Sequence, residues 1–176
     1  MSGIADLTGP DADTAVEQLY AAHWRQLVRL ATMLVRDQAA AEDVVQDAFV
    51  AMHGKWSRLR DPDKALAYLR QTVVNRSRSA LRHRVVVDRH LRSTTSVDVT
   101  VDGPGLAGSR REAVLTGLAQ LSERQREVLV LRYYLDFSEA QIADALGISR
   151  GAVKAHAHRG SAALRDLLGD WWEDAS

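Results

Sequence analysis

The chain has 176 residues, no cysteine, 23 basic and 23 acidic side chains, and a formal net charge of zero. This composition is typical of one or two small globular domains, and it excludes disulfides, thiol redox sensing and the common cysteine-based zinc sites. No apolar run approaches the roughly 20 residues that span a bilayer, and the N-terminus lacks the basic start and apolar core of a secretion signal. We therefore expect a cytoplasmic protein without a membrane segment. The six histidines are scattered, and we predict no metal site and no cofactor.

The zero net charge averages over two blocks of opposite sign. An acidic block contains Asp37, Glu42, Asp43 and Asp47. A basic block, opposed only by Asp88, contains Arg70, Arg76, Arg78, Arg82, Arg84, Arg89 and Arg92. Segregated charge of this kind indicates two different partners, whereas the simpler alternative is two solvated faces.

The N-terminal half reads as a small helical bundle that follows a mobile tail over residues 1–13. Apolar residues recur at helical spacing, with a break at Arg36 and Asp37. Asp61 is suited to cap the third helix, and Pro62 would occupy its first position, where a missing N–H costs nothing. We place the three helices over about residues 14–35, 39–55 and 62–84.

Two of these helices carry surfaces that invite a function. The second leaves carboxylates and an amide exposed, but no nucleophile, Gly-rich loop or suitably spaced histidine supports acid–base catalysis. The exposed face of the second helix is therefore interpreted either as a surface for a partner or as a solvated face. The third helix places arginines, expected to point away from the core, beside Tyr68, Asn75 and Ser77. Cations next to an aromatic ring are typical of sites for single-stranded nucleic acid.

Residues 85–108 lack a helical stripe and read as an extended linker, with a short strand over residues 97–101 as the alternative. The linker divides an all-α chain into two small helical domains, over residues 14–84 and 109–168. A short tail, residues 169–176, follows, and we expect Trp171 and Trp172 in it to pack back on the bundle.

The second domain has three capping boxes and a helix-turn-helix over residues 138–159. The boxes pair Ser109 with Glu112, Ser122 with Gln125, and Ser138 with Gln141. Gly147 suits a left-handed turn, Ser149 can cap the next helix, and Val153 would face the core. That helix would present Arg150, Lys154, Ala155, His158 and Arg159 to a major groove. The alternative is an ordinary helical corner with a solvated basic face.

Three segments in this order resemble the bacterial extracytoplasmic-function (ECF, group 4) sigma factors of the sigma-70 family, closest to actinobacterial members. The resemblance covers nearly all of residues 14–168. It implies a non-enzymatic promoter-specificity subunit, with region 2 and region 4 joined by a flexible linker that threads toward the polymerase active-site cleft. The segments are AEDVVQDAFVAMHGKW (41–56), AYLRQTVVNRSRSALR (67–82) and LSERQREVLVLRYYLDFSEAQIADALGISRGAVKAHAHR (121–159).

The resemblance also implies partners and residue roles. The partners are the RNA polymerase core (β′ clamp helices and β subunit), promoter DNA and an anti-sigma factor. The core would be bound by Glu42, Asp43, Gln46 and Asp47. The −10 element, with a flipped base held by the loop over residues 56–61, would meet Trp56, Arg58, Arg60, Tyr68, Arg70, Asn75, Arg76, Arg78 and Arg82. The −35 element would meet Ser149, Arg150, Lys154, Ala155, His158 and Arg159.

Some positions depart from the family's pattern. Tyr68 replaces a usual Trp and keeps an aromatic ring, and Ser79 replaces a common Asp. His156 stands where Arg is frequent, which bears on a phosphate contact, and Ala157 stands where Leu is frequent, which implies looser packing under the recognition helix. Leu121-Ser122 lacks the usual Pro. The alternatives are a stand-alone LuxR-like helix-turn-helix regulator and a helical adaptor with solvated arginines, and the N-terminal domain discriminates among the three.

Overall fold

Helices account for nearly all of the part of the chain that the computed structural model describes, namely residues 12–59, 61–90 and 106–169. No strand occurs among these residues, so the all-α prediction is confirmed. Two short 3-10 turns, Trp56–Arg58 and Pro62–Lys64, precede the third helix. The α-helices are α1 (Ala12–Val35), α2 (Gln38–His53), α3 (Ala65–His90), α4 (Leu106–Gln120), α5 (Glu123–Tyr133), α6 (Glu139–Leu146) and α7 (Arg150–Leu168).

Two helices extend beyond their predicted ends. Helix α3 continues to His90, into the segment predicted to be linker. Residues 85–90 contain no glycine or proline, so nothing local stops an established helix from propagating. Helix α4 begins at Leu106, so Ser109 lies inside it and the capping box predicted at Ser109 and Glu112 is wrong. The predictions for the N-terminal tail, residues 91–105 and the two C-terminal tryptophans lie outside the described residues.

Helices α1, α2 and α3 pack around one apolar core, as their periodicity predicts. Asp37 is the N-cap of α2, and its carboxylate accepts a hydrogen bond of 2.9 Å from the backbone N–H of Ala40. That hydrogen bond, with help from the Arg84 guanidinium, holds the pKa of Asp37 below its usual value, although burial opposes the shift. The core of the bundle contains Leu27, Leu30, Leu34, Val45, Met52, Leu69 and Val73.

Helices α5, α6 and α7 form the predicted helix-turn-helix with its preceding helix. Both remaining capping boxes are present, at Ser122 and Ser138. Gly147 has a φ of 64°, a left-handed conformation that an L side chain rarely adopts, and it ends α6. Ser149 then caps α7 by accepting a hydrogen bond of 3.1 Å from the N–H of Ala152. The local residue chemistry therefore defines both helices and the turn between them.

The two halves of the chain are in contact, which no local sequence pattern predicts. Helix α1 touches α4 and α5, and α3 touches α6, within one continuous cluster of buried side chains. Arg36 donates to the carbonyl of Ala119 at 2.8 Å, and the Tyr134 hydroxyl donates to the carbonyl of Gln26 at 3.1 Å. Apolar burial and polar contacts therefore join the two domains directly.

Two glycines of α7 should respond oppositely to alanine. A Cβ at Gly160 would lie 3.2 Å from Gln125 Cβ and from Leu129 Cδ1 of α5, whereas one at Gly151 meets only Ser149 Oγ at 3.8 Å. We expect Gly151→Ala to raise the free energy of unfolding by about 0.5–1 kcal/mol, because alanine favours the helix. Overpacking in Gly160→Ala should lower it by about 1–3 kcal/mol. Urea unfolding followed by circular dichroism measures both, and equal effects would contradict the close crossing of α5 and α7.

Candidate functional site

Helix α7 presents a basic face and buries the opposite one. Val153, Ala157 and Gly160 are buried against α5 and α6. The residues predicted to reach duplex DNA lie on the other side, where Ala155 is half-buried and the rest are exposed: Ser149, Arg150, Lys154, His158 and Arg159. Because one face of α7 is buried, only the side chains on its opposite face can enter a groove.

One carboxylate on this basic face was not predicted. Glu139, in the first turn of α6, lies 3.8 Å from Arg132 Nη1 through Oε1 and 3.8 Å from Lys154 Nζ through Oε2. The positive end of the helix dipole favours a carboxylate in the first turn of α6, and the position of Glu139 in the sequence could have indicated this. Tyr133, 68% exposed, lies beside it under the Arg132 guanidinium. Glu139 therefore lowers the positive charge of the surface that Lys154 occupies.

Helix α2 carries the acidic patch, which we define as Glu42, Asp43, Gln46 and Asp47. All four side chains are exposed, as predicted. Val50 extends the patch, because it lies one turn beyond Gln46 on the same face and is 67% exposed. Val50 was not predicted as part of this surface, although a valine at position i+7 from Asp43 interrupts an otherwise polar face. The surface is therefore a mixed acidic and apolar face suited to another protein.

The acidic and basic blocks touch one another through α2 and α3. Arg76 donates to Asp47 with a separation of 3.0 Å, and Arg84 forms an ion pair with Asp37. The two blocks were predicted as one acidic and one basic surface, and these two ion pairs join them at their edges. The periodicity of each helix gives its faces, but it does not tell which faces of two helices meet.

The other residues predicted to meet the −10 element surround α3 and the turns before it. Asn75 is exposed and accepts a hydrogen bond from Gln71, and Arg82 donates to Ser79 Oγ. Tyr68 is half-buried under the Lys55 ammonium, 5.5 Å from the ring centre. Trp56 and Arg70 are half-buried, Arg58 is exposed, and Arg60 lies outside the described residues.

Two residues of α3 are not exposed as the sequence analysis expected. Ser77 is completely buried, so its hydroxyl does not lie beside the arginines. Arg78 is only 18% exposed, because α6 covers it. Its Nη1 and Nη2 donate to the carbonyls of Ala145 and Leu146 at 3.0 and 3.1 Å. Arg78 was predicted to point away from the core of its own bundle, and in the structure it lies against α6 of the C-terminal domain instead of facing solvent.

The Arg78 guanidinium also faces a buried carboxylate of the C-terminal domain. Its Nε lies 3.3 Å from Glu127 Oε1, and Arg124 Nη1 lies 2.7 Å from Oε2. Glu127 is 1% exposed, and burial raises its pKa while Arg124 and then Arg78 oppose the rise. Glu127 was not predicted as a buried residue. It stands one turn before buried Leu131 on an apolar face, and a carboxylate at such a position indicates a paired or functional group.

A second arginine is buried at the start of α5. Arg126 is 3% exposed and donates to the carbonyl of Leu121 at 3.2 Å. Burial is the main cause that lowers its pKa, and the nearby positive charge of Arg36 adds to the shift. The hydrogen bond joins α5 to the end of the turn between α4 and α5.

Among the described residues, no helix is both long and apolar enough to cross a membrane. In the same part of the chain, no cluster of three or more histidine or carboxylate side chains is placed to hold a metal ion.

Comparison with known proteins assigns the class. Residues 19–85 match the family model of sigma-70 region 2, and residues 111–164 match that of sigma-70 region 4. These two models, matched in this order, define a sigma factor of the sigma-70 family. The N-terminal match is what a stand-alone helix-turn-helix regulator would lack, so that alternative is not favoured.

Individual relatives specify the group. The chain is 38% identical over 155 residues to the ECF RNA polymerase sigma factor SigL of Mycobacterium tuberculosis. This match covers 85% of the present chain and 86% of SigL. It is 34% identical over 142 residues to the RNA polymerase sigma-E factor of Streptomyces avermitilis, covering 81% and 78% of the two chains. The protein belongs to the ECF sigma factors, and it directs transcription initiation.

Solved structures agree on the fold. The sigma factor RpoE, solved in complex with the anti-sigma factor NepR from Bartonella quintana, has a TM-score of 0.74 to this chain at 23% identity. The match covers 86% of this chain and 95% of RpoE. CnrH, solved with the cytosolic domain of CnrY, has a TM-score of 0.59 at 27% identity, covering 89% of this chain and 94% of CnrH.

Glu139 gives a prediction for duplex binding. Glu139→Gln removes the negative charge beside Lys154 and Arg132, so we expect the affinity for duplex DNA at low salt to rise about two- to fivefold. Asp144→Asn is the matched control, because Asp144 is exposed on the same helix and forms no ion pair with a described residue. Fluorescence anisotropy measures the affinity. An equal gain in both variants would show a general charge effect and contradict a local role of Glu139.

Proposed function

We propose that this sigma factor holds core polymerase through α2 and contacts a promoter at two separate points. The loop before α3, with α3 itself, holds a melted −10 strand, and α7 reads a −35 duplex. The observation that carries this proposal is the coexistence of the exposed acidic patch on α2 and the exposed basic face of α7 in one chain. A duplex-binding regulator has no use for the first, and a polymerase-docking adaptor has no use for the second.

The core-binding role of α2 rests on charge and exposure. The acidic patch spans two turns of one helix face and ends on exposed Val50. Apolar side chains that are desolvated at the centre of an interface carry much of the binding energy, while surrounding charges steer the approach. The partner proposed for this face is the pair of β′ clamp helices. The β subunit would be contacted elsewhere in the complex.

The promoter contacts follow from the donors that each surface offers. Lys154 can donate to guanine acceptors in the major groove, and Ala155 can contact a thymine methyl group. Arg150 lies at the N-terminus of α7, where the helix dipole favours phosphate, so this contact positions the domain. On the other domain, arginines of α3 would hold strand phosphates while Trp56 and Tyr68 offer rings to bases.

A cleft between α1 and α4 is where we propose that an anti-sigma factor docks. RpoE is solved with the anti-sigma factor NepR, and CnrH is solved with the cytosolic domain of CnrY. The cleft has a volume of about 890 Å³ and an apolar floor that includes Trp24, Val28 and Val114. Exposed arginines at its rim would favour an acidic amphipathic segment: Arg25, Arg29, Arg110 and Arg111.

The remaining parts of the proposal concern organisation and place. Region 2 would occupy residues 14–84 and region 4 residues 109–168, with residues 85–108 between them following the polymerase cleft. The protein would act in the cytoplasm with the polymerase, without a cofactor. It would not be an enzyme, because RNA synthesis belongs to the polymerase.

Run-off transcription tests the proposed function. Core polymerase alone and core polymerase with this protein are given a pool of genomic fragments from the organism that carries the gene, and transcript 5′ ends are sequenced. We expect discrete start sites that depend on the protein, because promoter choice would reside in α3 and α7. Binding of the fragments without initiation would contradict the proposal and favour a stand-alone regulator.

The acidic patch can be tested apart from DNA binding. We expect the triple variant Asp43→Ala, Gln46→Ala and Asp47→Ala to weaken core polymerase binding by about tenfold or more, because exposed charges and an amide that face the partner are lost. Affinity of the full chain for duplex DNA through α7 should stay unchanged. Glu17→Ala, which removes an exposed carboxylate on α1, is the control. Equal loss of both activities in the triple variant would contradict this division of labour.

A further inference from the structure

The cleft between α1 and α4 has the size and lining of a small-molecule site. Its volume of about 890 Å³ lies within the range of about 300–1,000 Å³ that such sites occupy. The described side chains that form its apolar lining are Trp24, Val28, Met33, Val114 and Leu115. The cleft can therefore hold the apolar part of a small ligand.

Four arginines line this cleft, two on α1 and two on α4. We call them the cleft arginines, and all are exposed: Arg25, Arg29, Arg110 and Arg111. None of the four forms a hydrogen bond or an ion pair with a described residue. Arginines elsewhere in the chain do have carboxylate partners, as Arg76 has Asp47. The donors of the cleft arginines therefore remain available to a ligand.

The carboxylate of Glu42 does not neutralise these charges. Among the described residues that line the cleft, Glu42 is the one acidic side chain, and its Oε1 accepts a hydrogen bond of 3.1 Å from Gln38 Nε2. A concave surface that carries one sign of charge focuses its electric field and raises the local concentration of ions of the opposite sign. The cleft therefore attracts anions.

The positive charge extends to the half-buried Tyr134, which also lines the cleft. The Tyr134 hydroxyl donates to the carbonyl of Gln26 at 3.1 Å, which fixes its position. Burial raises the pKa of this hydroxyl, whereas the nearby charges of Arg29, Arg111 and Arg70 lower it. Arg70 Nε is buried and has no hydrogen-bond partner among the described residues. Guanidinium groups from three helices therefore lie near one side chain without a matching carboxylate.

A compact polyanion matches this arrangement better than separate carboxylates do. A guanidinium can bind phosphate oxygens through two parallel hydrogen bonds, and a chain of phosphates carries several charges in one small group. Trp24 offers an aromatic ring in the same cleft, and Tyr20 stacks on that ring with 4.6 Å between the ring centres. Any nucleobase can stack on an aromatic side chain. A nucleoside triphosphate combines both features.

We propose that the cleft between α1 and α4 binds a nucleoside triphosphate, with its phosphates between the cleft arginines and its base against Trp24. Because α1 belongs to the N-terminal domain and α4 to the C-terminal domain, the ligand would contact both domains. No described residue of α7 lines the cleft, so this site is distinct from the surface proposed to read duplex DNA. The ligand would compete with the anti-sigma segment proposed for the same cleft, and this consequence rests on the proposed function.

Isothermal titration calorimetry of the full chain tests the site, with ATP as the probe and no divalent cation present. We expect saturable binding of ATP to the wild type. Arg29→Gln combined with Arg111→Gln should weaken it about tenfold or more, because one guanidinium is lost from each side of the cleft. The matched control is Arg150→Gln combined with Arg159→Gln, which removes the same charge from exposed positions of α7 and should leave the affinity nearly unchanged. Circular dichroism establishes that both double variants fold.

Two outcomes of this titration would overturn the proposal. The first is the absence of ATP binding by the wild type. The second is equal weakening in the two double variants, which would show that ATP responds to net charge or binds the DNA-reading surface of α7.

Tripolyphosphate separates the contribution of the base from that of the phosphates. We expect the wild type to bind ATP about three- to tenfold more tightly than tripolyphosphate, because only ATP can stack on Trp24. Trp24→Leu should abolish this difference while its affinity for tripolyphosphate stays close to that of the wild type. Equal affinity of the wild type for both probes would overturn the assignment of a nucleoside ligand.

Both titrations use the protein without polymerase or promoter, so they separate failure of this site from failure of the proposed function. Absent ATP binding together with promoter-dependent run-off transcription would refute the nucleotide site alone. ATP binding that depends on the cleft arginines, together with absent run-off transcription, would refute the proposed function alone.

Discussion

The arginines of α3 contact acceptors from other parts of the chain, and these contacts connect the helix to its surroundings. Arg78 donates to the end of α6, Arg76 to Asp47 and Arg84 to Asp37. The carboxylates in these contacts belong to α2 or to the turn before it, and the carbonyls belong to the end of α6. A chain with no net charge therefore carries a basic helix whose arginines are partly paired with acidic groups of the same chain.

These contacts are specific but not strong. Exposed ion pairs such as Arg76 with Asp47 contribute little to stability, with a median of about 0–1 kcal/mol. Buried ion pairs also add little net stability, because the cost of removing both charges from water offsets their Coulomb attraction. Glu127 illustrates this balance, since burial raises its pKa even with two arginines beside it. These ion pairs therefore contribute only a small part of the stability of the fold.

The helix-turn-helix was predictable because its determinants are local. Ser138 with Gln141, Gly147 and Ser149 each act within one helical turn, and all three behave as predicted. The end of α3 was missed because residues 85–90 carry no stop signal, and Ser109 was misread because a capping residue does not cap a helix that has already begun.

The contact of α3 with α6 is of another kind. It joins residues 67 and 68 positions apart in the chain, and no periodicity reports which faces of distant helices meet. The exposed acidic patch was predictable from amphipathicity, but its pairing through Asp47 and the burial of Glu127 depend on packing between elements. The predicted residue roles come from the family resemblance, whereas the structure shows which of these residues contact other parts of the chain.

The two domains touch in the structure, whereas the proposed contacts with a −10 strand and a −35 duplex require them to lie far apart. The absence of native cysteine allows donor and acceptor dyes to be attached to Ala22→Cys on α1 and Ala140→Cys on α6, both exposed positions. Single-molecule energy transfer should report high efficiency in the free protein and low efficiency in an initiating complex, where the domains would be on the order of 80 Å apart. High efficiency retained in complexes that synthesise RNA would contradict this requirement.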